Sequence, residues 1–143
     1  MEDKVKIFMG GTCEGYKWRD ELVSYIDLNK VNPFNPIVKE WNEEAKQREL
    51  YERENTDICL YVITPHMSGA YSIAEVIDDS NKRPDKTAFI VIDRIIEEED
   101  KSVVTFTDKM KKSLEAVKEM VKRNNGMVFE NLVEFAHYVN NLR

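Results

Sequence analysis

Among the residues able to do chemistry, Glu75 has the most telling surroundings. It closes the run Ser68-Gly69-Ala70-Tyr71-Ser72-Ile73-Ala74-Glu75, which bridges an apolar strand pattern and a helical one. A carboxylate in the first turn of a helix is stabilised as the anion by the helix dipole and the free N–H groups there. An ionised carboxylate is a nucleophile, and covalent glycosyl transfer needs one placed against an anomeric carbon. Ser72-Ile73-Ala74-Glu75 also fits S-x-x-E, a capping box in which Glu75 reaches back to the Ser72 N–H. Spacing alone favours the cap, and only position in the fold favours the nucleophile.

The loop Gly10-Gly11-Thr12-Cys13-Glu14-Gly15 is the second candidate, because glycines after a strand let a ligand approach backbone N–H groups. It matches neither a dinucleotide fingerprint nor a P-loop, and a tight turn is the plainer use. Arg19 follows and can reach a phosphate or carboxylate, or pair with Asp20 or Glu21 at the surface. Asp57 precedes an apolar run. Seven residues at about 3.3 Å each put it about 23 Å from the run's far end, at the edge opposite the Glu75 turn. Asp78 and Asp79 follow Glu75 on the same side of its helix and read as a solvated face or the mouth of a site. His66 and His137 are isolated, so no metal site is expected. Nothing in the sequence calls for a cofactor.

These residues depend on the elements that carry them. Lys4-Val5-Lys6-Ile7-Phe8-Met9 reads as a strand ended by Gly10-Gly11. Trp18, Leu22, Tyr25 and Ile26 predict a helix over 17–28. Pro33 and Pro36 allow only a short edge strand over 32–38. The polar stretch 41–55 is helix-forming by propensity with a weak apolar stripe. The runs 57–64 and 87–93 are nearly unbroken apolar, as strands covered on both faces are. Between them lies a helix over 72–80. Glu97-Glu98-Glu99-Asp100 reads as an exposed acidic loop. Met110, Leu114, Val117 and Val121 mark another helix. Gly126 stops it, and Met127-Val128-Phe129 is a last strand. Asn131-Leu132-Val133-Glu134 then starts a final helix in capping-box spacing.

Alternating strands and helices force parallel pairing with right-handed crossovers. The expected fold is α/β: one domain over 1–143, a flavodoxin-like three-layer sandwich with a five-stranded, mostly parallel sheet in the order 2-1-3-4-5. Ligands of such sheets bind beyond the carboxyl ends of the strands at the topological switch point. That gathers the Gly10 loop, the Glu75 turn and the residues after Asp93.

The chain has 143 residues, 42% hydrophobic and 34% charged, with a formal net charge of −6. Lysines and acids are interspersed without a basic face, so a nucleic-acid polymer is not an expected partner. Met1-Glu2-Asp3-Lys4 leads directly into a strand pattern without an apolar leader, and no run approaches the length of a membrane helix. Two well-separated cysteines, Cys13 and Cys59, fit reduced thiols. The expectation is a cytoplasmic protein.

Several segments together resemble the nucleoside 2-deoxyribosyltransferase-like family, in its small bacterial and phage branch. They are Lys4-Val5-Lys6-Ile7-Phe8-Met9-Gly10-Gly11-Thr12, Lys17-Trp18-Arg19-Asp20-Glu21-Leu22, Asn35-Pro36-Ile37-Val38 with Trp41-Asn42, Asp57-Ile58-Cys59-Leu60-Tyr61-Val62-Ile63-Thr64-Pro65, and above all Ser68-Gly69-Ala70-Tyr71-Ser72-Ile73-Ala74-Glu75-Val76. The resemblance implies a flavodoxin-like fold and N-glycosidic bond cleavage, or deoxyribosyl transfer, on a nucleoside or nucleotide. It implies Glu75 as the nucleophile and Asp57 as a second catalytic residue. Substrate contacts would come from Gly10, Gly11, Thr12, Arg19, Ser68, Gly69, Tyr71 and Ser72. It also implies a homo-oligomer, with Met67, Tyr71 and the helix over 41–55 as interface parts. The chain departs from the family pattern at two places. Gly69 stands where transferases have an acid and monophosphate hydrolases a phosphate-binding serine. Phe8 stands where transferases have a tyrosine. Binding or sensing of a nucleotide derivative without turnover is the alternative function.

Overall fold

The computed structural model describes residues 3–143; Met1 and Glu2, where the reading of the N-terminus begins, lie outside the described residues. Strand β1 is Val5–Gly11, helix α1 Trp18–Tyr25, strand β2 Val31–Phe34 and helix α2 Glu43–Asn55. Strand β3 is Ile58–Ile63, helix α3 Tyr71–Lys82 and strand β4 Thr87–Val91. Strands β5, Arg94–Ile96, and β6, Val103–Thr105, come next. Helix α4, Asp108–Arg123, strand β7, Met127–Val128, and helix α5, Leu132–Asn140, complete the chain.

The main sheet has the order β2-β1-β3-β4-β7, and every pairing in it is parallel. This is the expected flavodoxin-like arrangement, with β7 as the fifth strand. Side chains alternate across the sheet and build two apolar layers. Ile7, Met9, Leu60, Val62 and Ile90 point to one face, where Trp18, Leu22 and Phe135 of α1 and α5 cover them. Phe8, Cys59, Tyr61, Ile63 and Phe89 point to the other, under Val76 of α3 and Leu114 and Val121 of α4. Each large side chain so buried contributes roughly 1.5–3 kcal/mol.

Helix α2 is the exception. Asn42 caps it, accepting a hydrogen bond from the Ala45 N–H at 2.8 Å, but Arg53 is its only buried residue. An ionic contact to α3, rather than an apolar stripe, secures it against the sheet.

The structure corrects three local expectations. Strand β1 does not stop before its glycines. Gly10 and Gly11 pair with Tyr61 and Val62 of β3, and the close approach requires glycine: a Cβ on Gly10 would sit 2.9 Å from the Tyr61 ring, and Gly11 has φ +116° with a would-be Cβ 2.1 Å from the Val62 carbonyl oxygen. The segment after Asp93 is not simply a loop: β5 and β6 pair as an antiparallel hairpin, with the acidic residues at its tip. Strands of three residues are too short to show an alternating pattern. Helix α3 begins two residues earlier than the capping-box spacing predicts, at Tyr71 with Ala70 as its N-cap.

Candidate functional site

The early start of α3 decides what Glu75 does. Ala70 is the N-cap, no side chain caps the helix, and Ser72 is already a helical residue. A capping serine must lie just outside the helix, so the Ser72–Glu75 box is not formed. Glu75 sits in the second turn and not the first, and its side chain is 9% exposed. It points toward α2, where Arg53 Nη1 lies 3.2 Å from Glu75 Oε2.

Arg53 anchors a buried polar cluster. Its Nη2 donates to Asp79 Oδ1 at 3.0 Å, and Arg83 Nη2 donates to the same oxygen at 2.6 Å. The Tyr61 hydroxyl donates to Asp79 Oδ2. Asp79 is fully buried, so it is not part of a solvated face as its spacing suggests. Burial alone raises its pKa. The hydrogen bonds from Tyr61 and Arg83 and the charges of Arg53 and Arg83 outweigh that and hold it below the usual carboxylate range.

Glu75 is in the opposite condition. Burial pushes its pKa up to about 7. Arg53 pulls it down, while the charges of Glu49 and Asp79 and a hydrogen bond with the Glu49 carboxyl push it up. The dipole-stabilised anion expected from the sequence is therefore not what the structure holds. Glu49, one turn before Arg53 on α2, is raised as well, by burial, against the downward pull of Arg53 and of a hydrogen bond from Glu75. The two carboxyls line the same cleft, and their titrations are coupled.

Glu75 and Glu49 line a cleft of about 310 Å³ at the carboxyl ends of β1 and β3. Phe8, Arg19, Ile37, Val38, Trp41 and Tyr71 form much of its wall, and Gly11, Cys13 and Pro36 complete it. A second hollow of about 340 Å³ adjoins it, sharing Trp41, Glu49 and Tyr71 and adding Lys46, Leu50 and Arg53. Two wider hollows, of about 470 and 580 Å³, lie beside the β5–β6 hairpin. They contain Tyr16 and Glu21 and several hairpin glutamates, but none of the predicted site residues. The Glu75 cleft combines apolar walls with a few convergent polar groups, the usual composition of a small-molecule site.

Of the residues expected from the sequence, Gly11, Arg19, Tyr71 and Glu75 meet in this cleft. Arg19 is partly engaged. It is buried and donates to the carbonyl oxygens of Met9 and Thr12 at 2.9 Å and of Gly11 at 3.4 Å. It clamps the end of β1 with three of its five N–H donors while lining the cleft. Burial also lowers its pKa, against the pull of Cys13. Gly10 is occupied in packing under Tyr61. Thr12 ties β1 to the end of β3, its Oγ1 accepting from the Thr64 N–H at 3.1 Å. Ser68 Oγ donates to Glu14 at 2.9 Å, and neither it nor Gly69 nor Ser72 lines the cleft.

Asp57 is placed apart. Its Oδ2 accepts from the Lys6 N–H at 2.8 Å, and Arg143 lies 3.4 Å from its Oδ1. These contacts lie at the amino edge of the sheet, where β1 and β3 begin, so Asp57 braces two strand starts and does not join Glu75. Met67 is half-buried, packed against the α3–α4 core layer.

Sequence reading missed Glu49, Arg53 and Trp41 as site residues. The available signal was the spacing of Lys46, Glu49, Leu50 and Arg53, which puts all four on one helix face. His66 joins no metal cluster: its Nδ1 accepts from the Tyr16 N–H at 3.2 Å and its Nε2 bonds Glu97 at 2.8 Å. Among the described residues no group of three His, Cys, Asp or Glu is placed to hold a metal ion, and no helix is long and apolar enough to cross a membrane. No family model matches the chain, and no curated protein matches it.

Proposed function

We propose that this protein cleaves the N-glycosidic bond of a nucleoside or nucleotide, or transfers its deoxyribosyl group, with Glu75 as the nucleophile. The observation that carries this reading is a carboxyl buried on the floor of an aromatic-walled cleft, beside a second carboxyl. A glutamate so placed can attack an anomeric carbon and be released again by water or an acceptor base. Trp41 and Tyr71, 59% and 71% exposed, offer flat faces on which a base can stack. No cofactor is needed, because the attacking group is a carboxylate of the chain itself.

The test is incubation with a panel of 2′-deoxynucleosides and their 5′-monophosphates, followed by chromatography. Free base should appear with at least one substrate and vanish in Glu75→Gln. Absence of base with every substrate, or an active Glu75→Gln, would overturn the reading.

A second reading is binding of a nucleotide derivative without turnover. The Arg53–Glu75 ion pair favours it, since a paired carboxylate is a weaker nucleophile. Saturable calorimetric binding with no product over long incubation would select it.

We also infer a homo-oligomer. Trp41, Tyr51 and Tyr71 are 59%, 61% and 71% exposed, just before α2, on α2 and at the start of α3, more aromatic surface than a solvated face needs. Light scattering at micromolar concentration should give at least a dimer, and a monomer would count against a shared site. The free thiols Cys13 and Cys59 support a cytoplasmic setting.

A further inference from the structure

A buried guanidinium calls for a counter-ion. Arg53 has Glu75 and Asp79, and Arg83 has Asp79. Arg19 has none. It is 6% exposed, and among the described residues no carboxylate pairs with it, although Asp20 and Glu21 follow it in sequence. Its acceptors are the neutral carbonyl oxygens of Met9, Gly11 and Thr12. The Trp18 ring stacks against it, with Cζ 4.3 Å from the ring centroid. These groups orient the cation and soften its burial, but they carry no net charge. Cys13 lies beside it, and that thiol donates to the Gly11 carbonyl oxygen at 3.5 Å.

The charges around the cleft leave the same group unmatched. Arg19, Lys46, Arg53 and Arg83 stand against Glu49, Glu75 and Asp79 in the cleft, the adjoining hollow and the cluster beneath them. Arg53 and Arg83 are matched by Glu75 and Asp79. Lys46 lies one turn before Glu49 on α2, and both line the adjoining hollow. Arg19 is the cation left over, and a proton on either glutamate only widens the surplus. Its hydrogen bonds use Nε–H and one N–H each of Nη1 and Nη2, so one donor on each terminal nitrogen has no acceptor in the chain.

We infer that Arg19 receives an anionic group of the substrate, and that this group is a phosphate monoester. The inference rests on the reading of the cleft as a site for a nucleoside or nucleotide, and it selects the nucleotide, a 2′-deoxynucleoside 5′-monophosphate. Phosphate is the one anionic group such a substrate carries. A guanidinium with a donor to spare on each terminal nitrogen suits phosphate oxygens. Arg19 and Glu75 line the same cleft without pairing with each other, so one sugar can hold its 5′-phosphate at Arg19 and its C1′ at Glu75. The base then extends toward Trp41 and Tyr71, which the cleft shares with the adjoining hollow.

The test is calorimetry of the whole chain with 2-deoxyribose 5-phosphate, 2-deoxyribose and inorganic phosphate, none of which has a base to release. Wild type should bind the sugar phosphate tighter than the bare sugar by about 10-fold or more, the strength of a hydrogen bond to a charged group. Arg19→Gln should lose this preference. Arg19→Lys should recover only part of it, because an ammonium lacks the planar pair of donors. Lys46→Gln should keep it. Equal binding of the two sugars by wild type would overturn the inference. So would loss of the preference in Lys46→Gln with Arg19→Gln unchanged, which would move the anion to the adjoining hollow. Inorganic phosphate bound as tightly as the sugar phosphate would make this a site for free phosphate and overturn the assignment to a nucleotide. Arg19 clamps β1, so folding of its variants is checked by Cys59 remaining unreactive in the native chain. If neither Arg19 variant folds, wild type and Lys46→Gln decide. In both, the sugar phosphate should slow labelling of Cys13 with a chromogenic disulfide where 2-deoxyribose does not, and equal labelling would overturn the inference. Binding and turnover fail separately. A phosphate preference without base release would keep Arg19 as the anion receptor and remove Glu75 as nucleophile, and base release without the preference would do the reverse.

Discussion

Arg53 Nη1 lies 3.2 Å from Glu75 Oε2 while Arg53 Nη2 lies 3.0 Å from Asp79 Oδ1. One guanidinium thus bridges two carboxylates four residues apart on α3, from a helix with no other buried residue. The fork geometry of arginine makes this possible, since its two terminal nitrogens can serve separate acceptors. The same contact does two jobs. It docks α2 against the sheet, and it sets the charge of the candidate nucleophile.

Replacing Arg53 should therefore damage stability and site together. Arg53→Met keeps much of the apolar stem but leaves Glu75 without a cation and Asp79 with only Arg83 and Tyr61. Breaking a buried ion pair by removing one partner costs about 3–5 kcal/mol. Urea denaturation should show a loss at the lower end of that range, because Asp79 keeps two donors. Arg53→Lys should recover only part of it, as one ammonium cannot span both carboxylates. A loss below about 0.5 kcal/mol, the range of ordinary surface substitutions, would mean the cluster does not secure α2.

The raised Glu75 group predicts an unusual pH dependence. An unfolded glutamate ionises near 4.5, and Glu75 in the folded protein near 7. Between these values the native state holds a proton that the unfolded chain has released. Stability therefore falls as pH rises across this window and levels off above it. Asp79, held low, contributes in the opposite sense and only at lower pH, where stability is lost as it protonates. Denaturation at pH 5 and pH 7.5 should differ by on the order of 2 kcal/mol, with the acid sample more stable. Glu75→Gln should flatten this difference. An equal slope in wild type and variant would show that Glu75 is not the group responsible.

The layered fold was readable because its signal is apolar. Strands β3 and β4 are buried on both faces, and their sequences show it as unbroken hydrophobic runs. The alternation of strands and helices then placed the cleft at the carboxyl edge. The charged cluster was not readable in the same way. Hydrophobic periodicity cannot detect a helix whose buried contact is ionic, so α2 looked like a weak amphipath. Asp78 and Asp79 look alike in sequence, yet the buried set Glu75, Val76, Asp79 and Ser80 shows that helix phase turns Asp79 inward and leaves Asp78 exposed. The Ser72–Glu75 spacing misled because a capping box requires its serine outside the helix, and α3 begins at Tyr71.

The two thiols should differ sharply in reactivity. Cys59 is buried under α3, and its thiol is pushed up to about 12, by burial first and then by the charge of Asp79. Such a thiol is inert at neutral pH. Cys13 is exposed and lines the Glu75 cleft. Titration of the native protein with a chromogenic disulfide should find one thiol per chain, and denaturant should reveal the second. A ligand seated in the cleft should slow the first reaction. Two fast thiols in the native state would contradict the burial of Cys59.

The family resemblance implies both Gly11 and Gly69 as substrate contacts, and alanine at each separates structure from site. Gly11 has φ +116°, a conformation L side chains rarely adopt, and its would-be Cβ would stand 2.1 Å from the Val62 carbonyl oxygen. That oxygen accepts the Thr12 N–H at 2.9 Å, so it cannot move without breaking the link between β1 and β3. Gly11→Ala should cost several kcal/mol, about 3 or more, by strain and lost pairing. Nothing lies within 4 Å of a Cβ built on Gly69, so Gly69→Ala should fall within about 0.5 kcal/mol of wild type. Thermal denaturation of the two variants measures the contrast directly. A destabilised Gly69→Ala would show that the loop before α3 is packed more tightly than its open surroundings indicate. A tolerated Gly11→Ala would mean that the end of β1 can shift, and with it the wall of the cleft that Arg19 now clamps in place.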